Sequence, residues 1–415
     1  MESEFEEYLY NNKFNLKIKR SDIIYKHMKD PALLKYYYKT KTTLALYNKN
    51  NSIEGSSPTD IFVGRYNYPY VYIGPLVPPE FGDTSLLGTP EKWRNLSIEE
   101  IINMRTKLIR GMSLTNIYDV EKGKLQQQIQ ELAMAERYED TSLSYSKKPT
   151  VKLELNDDSQ PFGPSVQIDK MEVPNIKTNK KIENLFFDYD ARAEDAVIEL
   201  YNKDVEVSKI QKAFSAGIFG IKKYRKFVPT RWSITAVDDT LSKYNRENIK
   251  SYGQIDAIYT YFYNALDNRW LIFFIPGNWQ YETIEAWWPK TIWNETGKEV
   301  SIYSSYEAYE GRKKYAEIGG CYYAARLAVT EKLKKLNKQA IVLILREIHE
   351  GYTLPVGVWN VREHVRETLT KEPIIINSVA EMKDIIKSKL DIKPNEWIKN
   401  SVLLKFLYQQ RKLNL

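Results

Sequence analysis

The stretch IDAIYTYFYNALDNRWLIFFIP, Ile255 to Pro276, decides the fold class. Ile255 to Phe262 alternates apolar and polar residues, the period of a strand. Arg269 to Ile275 is a second β-rich run, and NALDNR, Asn264 to Arg269, carries the turn residues between them. The reading is an antiparallel hairpin. Helical patterns surround it. Ala191 to Tyr201 reads as a helix. Ser208 with Gln211 forms a capping box that opens a helix ending near Gly217. Gly311 to Leu336 reads as a long helix with a narrow face of small residues, in which Gly319 and Gly320 suggest close approach of another backbone. Arg231 to Val237 and Ala340 to Leu345 read as strands, and Val361 to Leu369 as a helix. Strands interleaved with helices predict an α/β fold, a mixed sheet flanked by helices, with a mixed α+β arrangement as the alternative.

Outward from this region the pattern changes. Ile61 to Ser85 holds Gly64, Pro69, Gly74, Pro75, Pro78, Pro79 and Gly82 around the β-rich core YPYVYIG, which predicts one or two strands and a rigid loop. Ser97 with Glu100 is a capping box before a helix, with Gly111 as its stop, and a Gln- and Glu-rich helix is expected over about residues 117–138. After Pro373 the tail is helical and basic. Four segments follow: a leading segment 1–50, a loop-rich N-terminal domain 51–165, an α/β domain 166–372 and a helical tail 373–415.

Composition narrows the function classes. The 415 residues are 43% hydrophobic and 28% charged, a globular balance. The net charge of +7, from 61 basic and 54 acidic residues, permits a polyanion partner without requiring one. One cysteine, Cys321, excludes an internal disulfide and a CxxC metal site. The acidic start MESEFEEYLY lacks the apolar run of a signal peptide, and no stretch reaches membrane-spanning length. The expectation is a cytoplasmic protein without a membrane partner.

Four constellations carry chemistry, each with two readings. Lys222, Lys223, Arg225, Lys226 and Arg231 are five cations in ten residues, interleaved with Tyr224, Phe227 and Trp232. They suit a nucleic-acid backbone and its unpaired bases, or equally a solvated loop anchored by its aromatics. Asp238 and Asp239 end the expected strand, where a metal can be held; Asp239 also serves as a helix N-cap. Glu282 and Glu285 in NWQYETIEAWWP, Asn278 to Pro289, would share a helical face and could join Asp238 and Asp239 in a metal cluster. Their neighbouring tryptophans would otherwise plug a core. Arg346, His349 and Arg362 are candidate phosphate-binding and acid–base groups, with Arg362 and Arg366 one helical turn apart as a phosphate clamp and His364 as a second acid–base group; the other reading is structural pairing of Arg362 and Arg366 with the interspersed Glu363 and Glu367. No cofactor fingerprint is present, and the cofactor stays unassigned.

The blocks VGRYNYPYVYIGPLVPPEFGDTS, QPFGPS, SAGIFG, VPTRWSITAVDDTLSK, YETIEAWWP, GRKKYAEIGGCYYAARLAVTEKL and PVGVWNVREHVRETL, over roughly residues 55–370, resemble the archaeal NreA family of DNA repair proteins. The resemblance implies a role in DNA damage repair, with DNA as partner, a nucleoid-associated location and a C-terminal motif that engages the PCNA sliding clamp. That motif runs Gln-x-x-aliphatic-x-x-aromatic-aromatic. Gln410 and Leu413 match its start, and the aromatic positions fall at 416 and 417, beyond Leu415, so a weakened clamp contact is expected. Some members carry a Cys-rich zinc module, which the cysteine-free stretch before Cys321 cannot supply. The expectation is a DNA repair factor that grips nucleic acid through Lys222–Trp232. The alternative is an enzyme on a nucleic-acid or phosphate-containing substrate, with Asp238, Asp239, Glu282, Glu285, Arg346, His349 and Arg362 as candidate catalytic groups.

Overall fold

The computed structural model describes residues 51–147, 159–174, 176–291 and 293–413, the side chains of 409–413 excepted. The leading segment 1–50 lies outside them. The N-terminal half contains strands β1 (Ser52–Ser57), β2 (Ile61–Val63), β3 (Tyr70–Val77), β4 (Ile109–Asn116), β5 (Glu139–Ser144), β6 (Ser165–Gln167) and β7 (Lys170–Glu172). They form a three-stranded sheet β1-β5-β7 and a four-stranded sheet β2-β3-β4-β6. Helices α1 (Ile98–Arg105), α2 (Lys124–Met134), α3 (Lys180–Phe187), α4 (Ala193–Asn202), α5 (Val207–Ser215) and α6 (Thr230–Ile249) complete this half. The capping box at Ser97 forms as the sequence predicts: its side chain accepts from the Glu100 amide, and Glu100 reaches back to the Ser97 amide. Gly111 is no helix stop, since α1 ends at Arg105 and Gly111 lies inside β4.

The second half is a three-layer sandwich. Strands β8 (Ile258–Ala265), β9 (Asn268–Ile275), β10 (Gln280–Trp287), β11 (Ser301–Glu307), β12 (Ile341–Ile348) and β13 (Ile374–Ile376) form one sheet in the order β11-β10-β12-β9-β8-β13. Only β10 and β12 run parallel; the other neighbours are antiparallel. The opening hairpin is β8–β9, closed by Leu266 and Asp267 with φ of 50° and 53°, the left-handed pair that a two-residue hairpin turn requires. Alternate residues of β9 serve opposite layers. Trp270, Ile272 and Phe274 pack under α6, α7 (Gly320–Leu336) and α8 (Trp359–Thr368). Leu271, Phe273 and Ile275 face α9 (Glu381–Lys389), α10 (Pro394–Asn400) and α11 (Val402–Leu413). Among the described residues no helix is long and apolar enough to cross a membrane.

Three local readings are corrected. Arg231 to Val237 is the start of α6, not a strand. Its β-branched residues mimic a strand, but Ile234, Val237, Leu241, Asn245 and Ile249 are buried at helical spacing straight through the two aspartates. Asp239 is therefore mid-helix and caps nothing. NWQYETIEAWWP forms strand β10 rather than a helix, so a separation of three puts Glu282 and Glu285 on opposite faces. Gly319 and Gly320 open α7 instead of lying inside it: Gly319 is its N-cap at φ +65°, a conformation glycine adopts without strain, and the long-helix interior cost does not arise. A smaller correction concerns α5, whose N-cap is Glu206. Ser208 gives its hydroxyl to Glu91 at 2.8 Å rather than capping the helix.

Helix α6 is shared by the two halves. Val237 and Leu241 enter the N-terminal core with Leu327 of α7, while Ile234 and Ile249 enter the core on the six-stranded sheet. The residues flanking Pro229 thus sit where the halves join.

Candidate nucleic-acid interface

The basic run enters α6 through a 3-10 turn at Lys222–Tyr224 and an extended segment. Phe227 is fully buried and anchors it, its amide donating to the Ile117 carbonyl at 2.9 Å. Around this anchor the cations divide. Lys222, Lys223 and Lys226 are exposed, and Arg231 is half-buried. Lys222 stands over the Tyr189 ring at 4.3 Å and lies 3.6 Å from Glu121. Arg225 points the other way. It is 4% exposed and donates to the carbonyls of Gly220 and Phe186 at 2.7 Å and Asp188 at 2.9 Å. Those carbonyls are ordered by Arg225, which is withdrawn from the surface the sequence reading assigned to it.

The aromatic part of the surface extends beyond the sequence reading. The amide of Ile117 donates to the Pro69 carbonyl at 3.0 Å, and the Val63 amide donates to Thr230 Oγ1 at 2.9 Å. These bonds hold the β2–β3 loop and the end of β4 beside the entry to α6. The Trp232 ring meets Tyr68 at a centroid distance of 5.3 Å. Tyr66, Tyr68, Tyr70, Tyr118 and Trp232 are between 42% and 67% exposed, and Tyr224 is 65% exposed. Arg65 lies 5.7 Å from the Tyr66 ring centroid. The signal was present in VGRYNYPYVYIG, Val63 to Gly74, as tyrosines on every second residue. Without the pairing of β3 with β4 nothing in the sequence said which of them face solvent.

The candidate catalytic residues do not converge. Asp238 is buried in α6, taking two contacts from Arg362 Nη1 at 3.0 and 3.1 Å and one from Gln211 at 2.9 Å. Burial pushes its carboxyl up to about 6, the larger effect, against the pull of Arg362. Asp239 pairs with Arg326 of α7 and, at 2.7 Å, with Lys243. Glu282, on the opposite side of the sheet, accepts from Ser401 Oγ at 2.6 Å and from the amides of Val402 and Leu403 at 2.8 Å. It is the N-terminal anchor of α11, and burial raises its pKa. Glu285 pairs with Arg346 at 2.7 Å, whose guanidinium also donates to Asn268. Four carboxylates with four separate partners do not make one metal cluster. His349 stacks on Trp288 at 4.9 Å and meets Glu347 at 3.1 Å.

Among the described residues Glu347, His349 and Asp391 bring ligand-type atoms within 4.8 Å of one another. Arg269 already bridges the two carboxylates, at 2.5 Å from Asp391 and 3.7 Å from Glu347. Arg366, one turn after Arg362, is engaged by Glu331 and Glu363 at 2.7 Å. His364, on the same helix, is buried, which drives its pKa down to about 4 and keeps the ring neutral. Gln410 and Leu413 lie in the backbone of α11, with their side chains outside the described residues.

Comparison with known proteins adds what the geometry alone leaves open. The family description "Archaeal Nre, N-terminal" matches residues 29–294, and "Archaeal Nre, C-terminal" matches residues 307–415. DNA repair protein NreB of Archaeoglobus fulgidus is 39% identical over 354 residues, 85% of this chain and 89% of that protein. DNA repair protein NreA of the same organism is 34% identical over 371 residues, covering 89% and 91%. DNA repair protein NreA of Haloferax volcanii is 35% identical over 338 residues, covering 78% and 80%. No solved structure matches the chain.

Proposed function

This chain belongs to the archaeal Nre family, and we propose that it is a DNA repair factor that grips DNA at unpaired bases. The names of its relatives support the repair role. The grip is the surface of Tyr66, Tyr68, Tyr70, Tyr118 and Trp232 with Lys222, Lys223, Lys226 and Arg231. One observation carries the reading: exposed rings and exposed lysines stand on neighbouring segments, tied by the Ile117 amide donating to Pro69 and the Phe227 amide donating to Ile117. Exposed rings offer a stacking face to any unpaired base, whereas a paired base has its faces occupied by neighbours; lysines supply the sequence-independent phosphate contact.

The test is fluorescence anisotropy with a single-stranded oligonucleotide and a duplex of equal length. Replacing Tyr68 and Trp232 together by Ala removes stacking worth about 1–3 kcal/mol per base. Single-strand binding is expected to weaken by at least tenfold, with duplex binding changed far less. Equal single-strand affinity in the double variant overturns the reading.

The proposed second partner is the PCNA sliding clamp, reached through Gln410 and Leu413. Support comes from the placement of this Gln-x-x-Leu at the end of α11, a helix whose start Glu282 fixes to the sheet. A peptide of Lys405 to Leu415 titrated against the cognate clamp tests it, and no heat or shift on titration removes the clamp from the proposal.

A further inference from the structure

Away from the aromatic surface, a polar cavity of about 380 Å³ opens where α5 begins. Its walls come from the turn after β1, the 3-10 turns around Gly88, the connection from α2 to β5, and the start of α3. Lys209 and Lys212 both line it, three residues apart and therefore on one face of α5. Each ammonium carries three donors. Lys209 Nζ gives one to the Ala135 carbonyl at 2.6 Å and one to Thr59 Oγ1 at 3.2 Å. Lys212 Nζ gives one to the Gly88 carbonyl at 2.7 Å and pairs with Asp60. Thr59, a β-branched residue at φ +62°, is held in a backbone region it rarely adopts.

The charge at this floor does not balance. Among the described residues Asp60 is the one carboxylate in contact with either lysine, through Lys212, and it is shared: Arg105 Nη1 takes its other oxygen at 2.5 Å. Arg105 and Lys212 therefore share one carboxylate in a partly buried place, and Lys209 beside them is bonded to a carbonyl and a hydroxyl. Asp60, Glu206 and Glu139 all act on Lys209 from a distance. At the mouth, Lys92, Arg137 and Lys181 are exposed, against Asp204, Glu206 and a Glu136 whose carboxylate is taken by Lys177 at 2.6 Å. Unbalanced positive charge in a half-buried site has two outlets: one lysine gives up its proton, or an anion moves in.

We propose that this cavity binds a compact oxyanion of the phosphate-monoester class, held on the floor by Lys209 and Lys212 with Arg137, Lys92 and Lys181 at the mouth. A dianion matches the two surplus charges, and lysine serves as a point-charge phosphate ligand. The cavity falls in the size range of small-molecule sites, roughly 300–1,000 Å³, with room for a sugar beside the phosphate. Two sources share that chemistry, a free nucleotide and the phosphorylated end of a strand. Burial first, and then Lys212, push the pKa of Lys209 down to about 7. A bound anion reverses the second effect, so binding and proton uptake by Lys209 are coupled.

Calorimetric titration of the full chain with sulfate tests this, because sulfate keeps its double charge across neutral pH and only the protein titrates. The affinity is expected to be level below pH 7 and to fall by about tenfold per pH unit above it, as Lys209 must be recharged at each step. Above pH 7 the binding heat is expected to depend on the buffer, reporting the proton taken up. Lys209→Met should weaken sulfate binding and abolish that pH dependence; should this variant fail to fold, the pH series on the unaltered chain decides alone. No binding of sulfate at pH 6, or an affinity independent of pH, overturns the proposal. Tighter binding of a nucleoside 5′-monophosphate than of sulfate assigns the free nucleotide as the source. Preference for a strand with a 5′-phosphate over the same strand with a 5′-hydroxyl, lost in Lys209→Met, assigns the strand end. Failure of both overturns the phosphate-monoester class.

Discussion

The surface at Lys222–Trp232 and the interior around Asp238 and Arg362 use the same residue types to opposite ends. Both belong to or border α6, and both combine arginine or lysine with aromatic and acidic neighbours. In the interior each arginine meets a carboxylate from another element: Arg362 meets Asp238, Arg366 meets Glu331, Arg346 meets Glu285. On the surface the lysines face solvent, and Glu121, 3.6 Å from Lys222, is a loose partner. A charge buried without a partner is costly, so interior cations come with an acid or, at Arg225, with several carbonyls attached, and bind the fold together. A charge in water needs no partner, and its attraction stays available for a polyanion. Arg225 shows that the division is made residue by residue. It sits between Lys223 and Lys226 in sequence and yet serves the interior, bonded to carbonyls.

The contrast breaks most visibly at Arg362. Arg362→Ala leaves Asp238 and Glu363 without their shared cation and is expected to destabilise the fold by about 3–5 kcal/mol, read by chemical denaturation. A change below 1 kcal/mol would mean that the pair is not buried as described. Next is His364. Its imidazole has a folded pKa of about 4, below the ordinary 6.5. Between these values the unfolded chain holds a proton that the folded chain does not. Its contribution to stability is therefore present above pH 6.5 and is lost as the pH falls through 4, by up to about 3 kcal/mol. His364→Gln should flatten the acid limb of stability against pH in that window, and an unchanged limb counts against the buried neutral ring.

The boundary inside the basic run gives the third prediction. Arg225→Met strands the carbonyls of Gly220, Phe186 and Asp188, with an expected loss of about 1–3 kcal/mol. Its neighbours behave oppositely. Lys222, Lys223 and Lys226 replaced together by Ala should change stability by less than about 0.5 kcal/mol. The same variant should reduce the slope of log affinity for single-stranded DNA against log salt by roughly 2. If that slope does not move, the lysines are outside the DNA contact and the contrast between the two regions loses its functional half.

Much of the architecture was legible locally. The β8–β9 hairpin follows from alternation and turn residues, and the α1 capping box from two residues three apart. Helix α8 follows from its apolar spacing. Each rests on residues that are neighbours in the chain. Where local signals conflicted, they misled: β-branched residues in TRWSITAVDD favour a strand, and only burial of Ile234, Val237, Leu241 and Ile249 against two cores makes that segment a helix. The candidate sites were legible as residue types but not as places. Asp238 and Arg362 are 124 residues apart, and Glu282 and Ser401 are 119 apart. From residues that neighbour one another in the chain come the family resemblance, the β8–β9 hairpin and a block of cations interleaved with aromatics. Which charges pair with one another and which stay in solvent follows from tertiary contacts, because burial depends on elements that the chain brings together from far away.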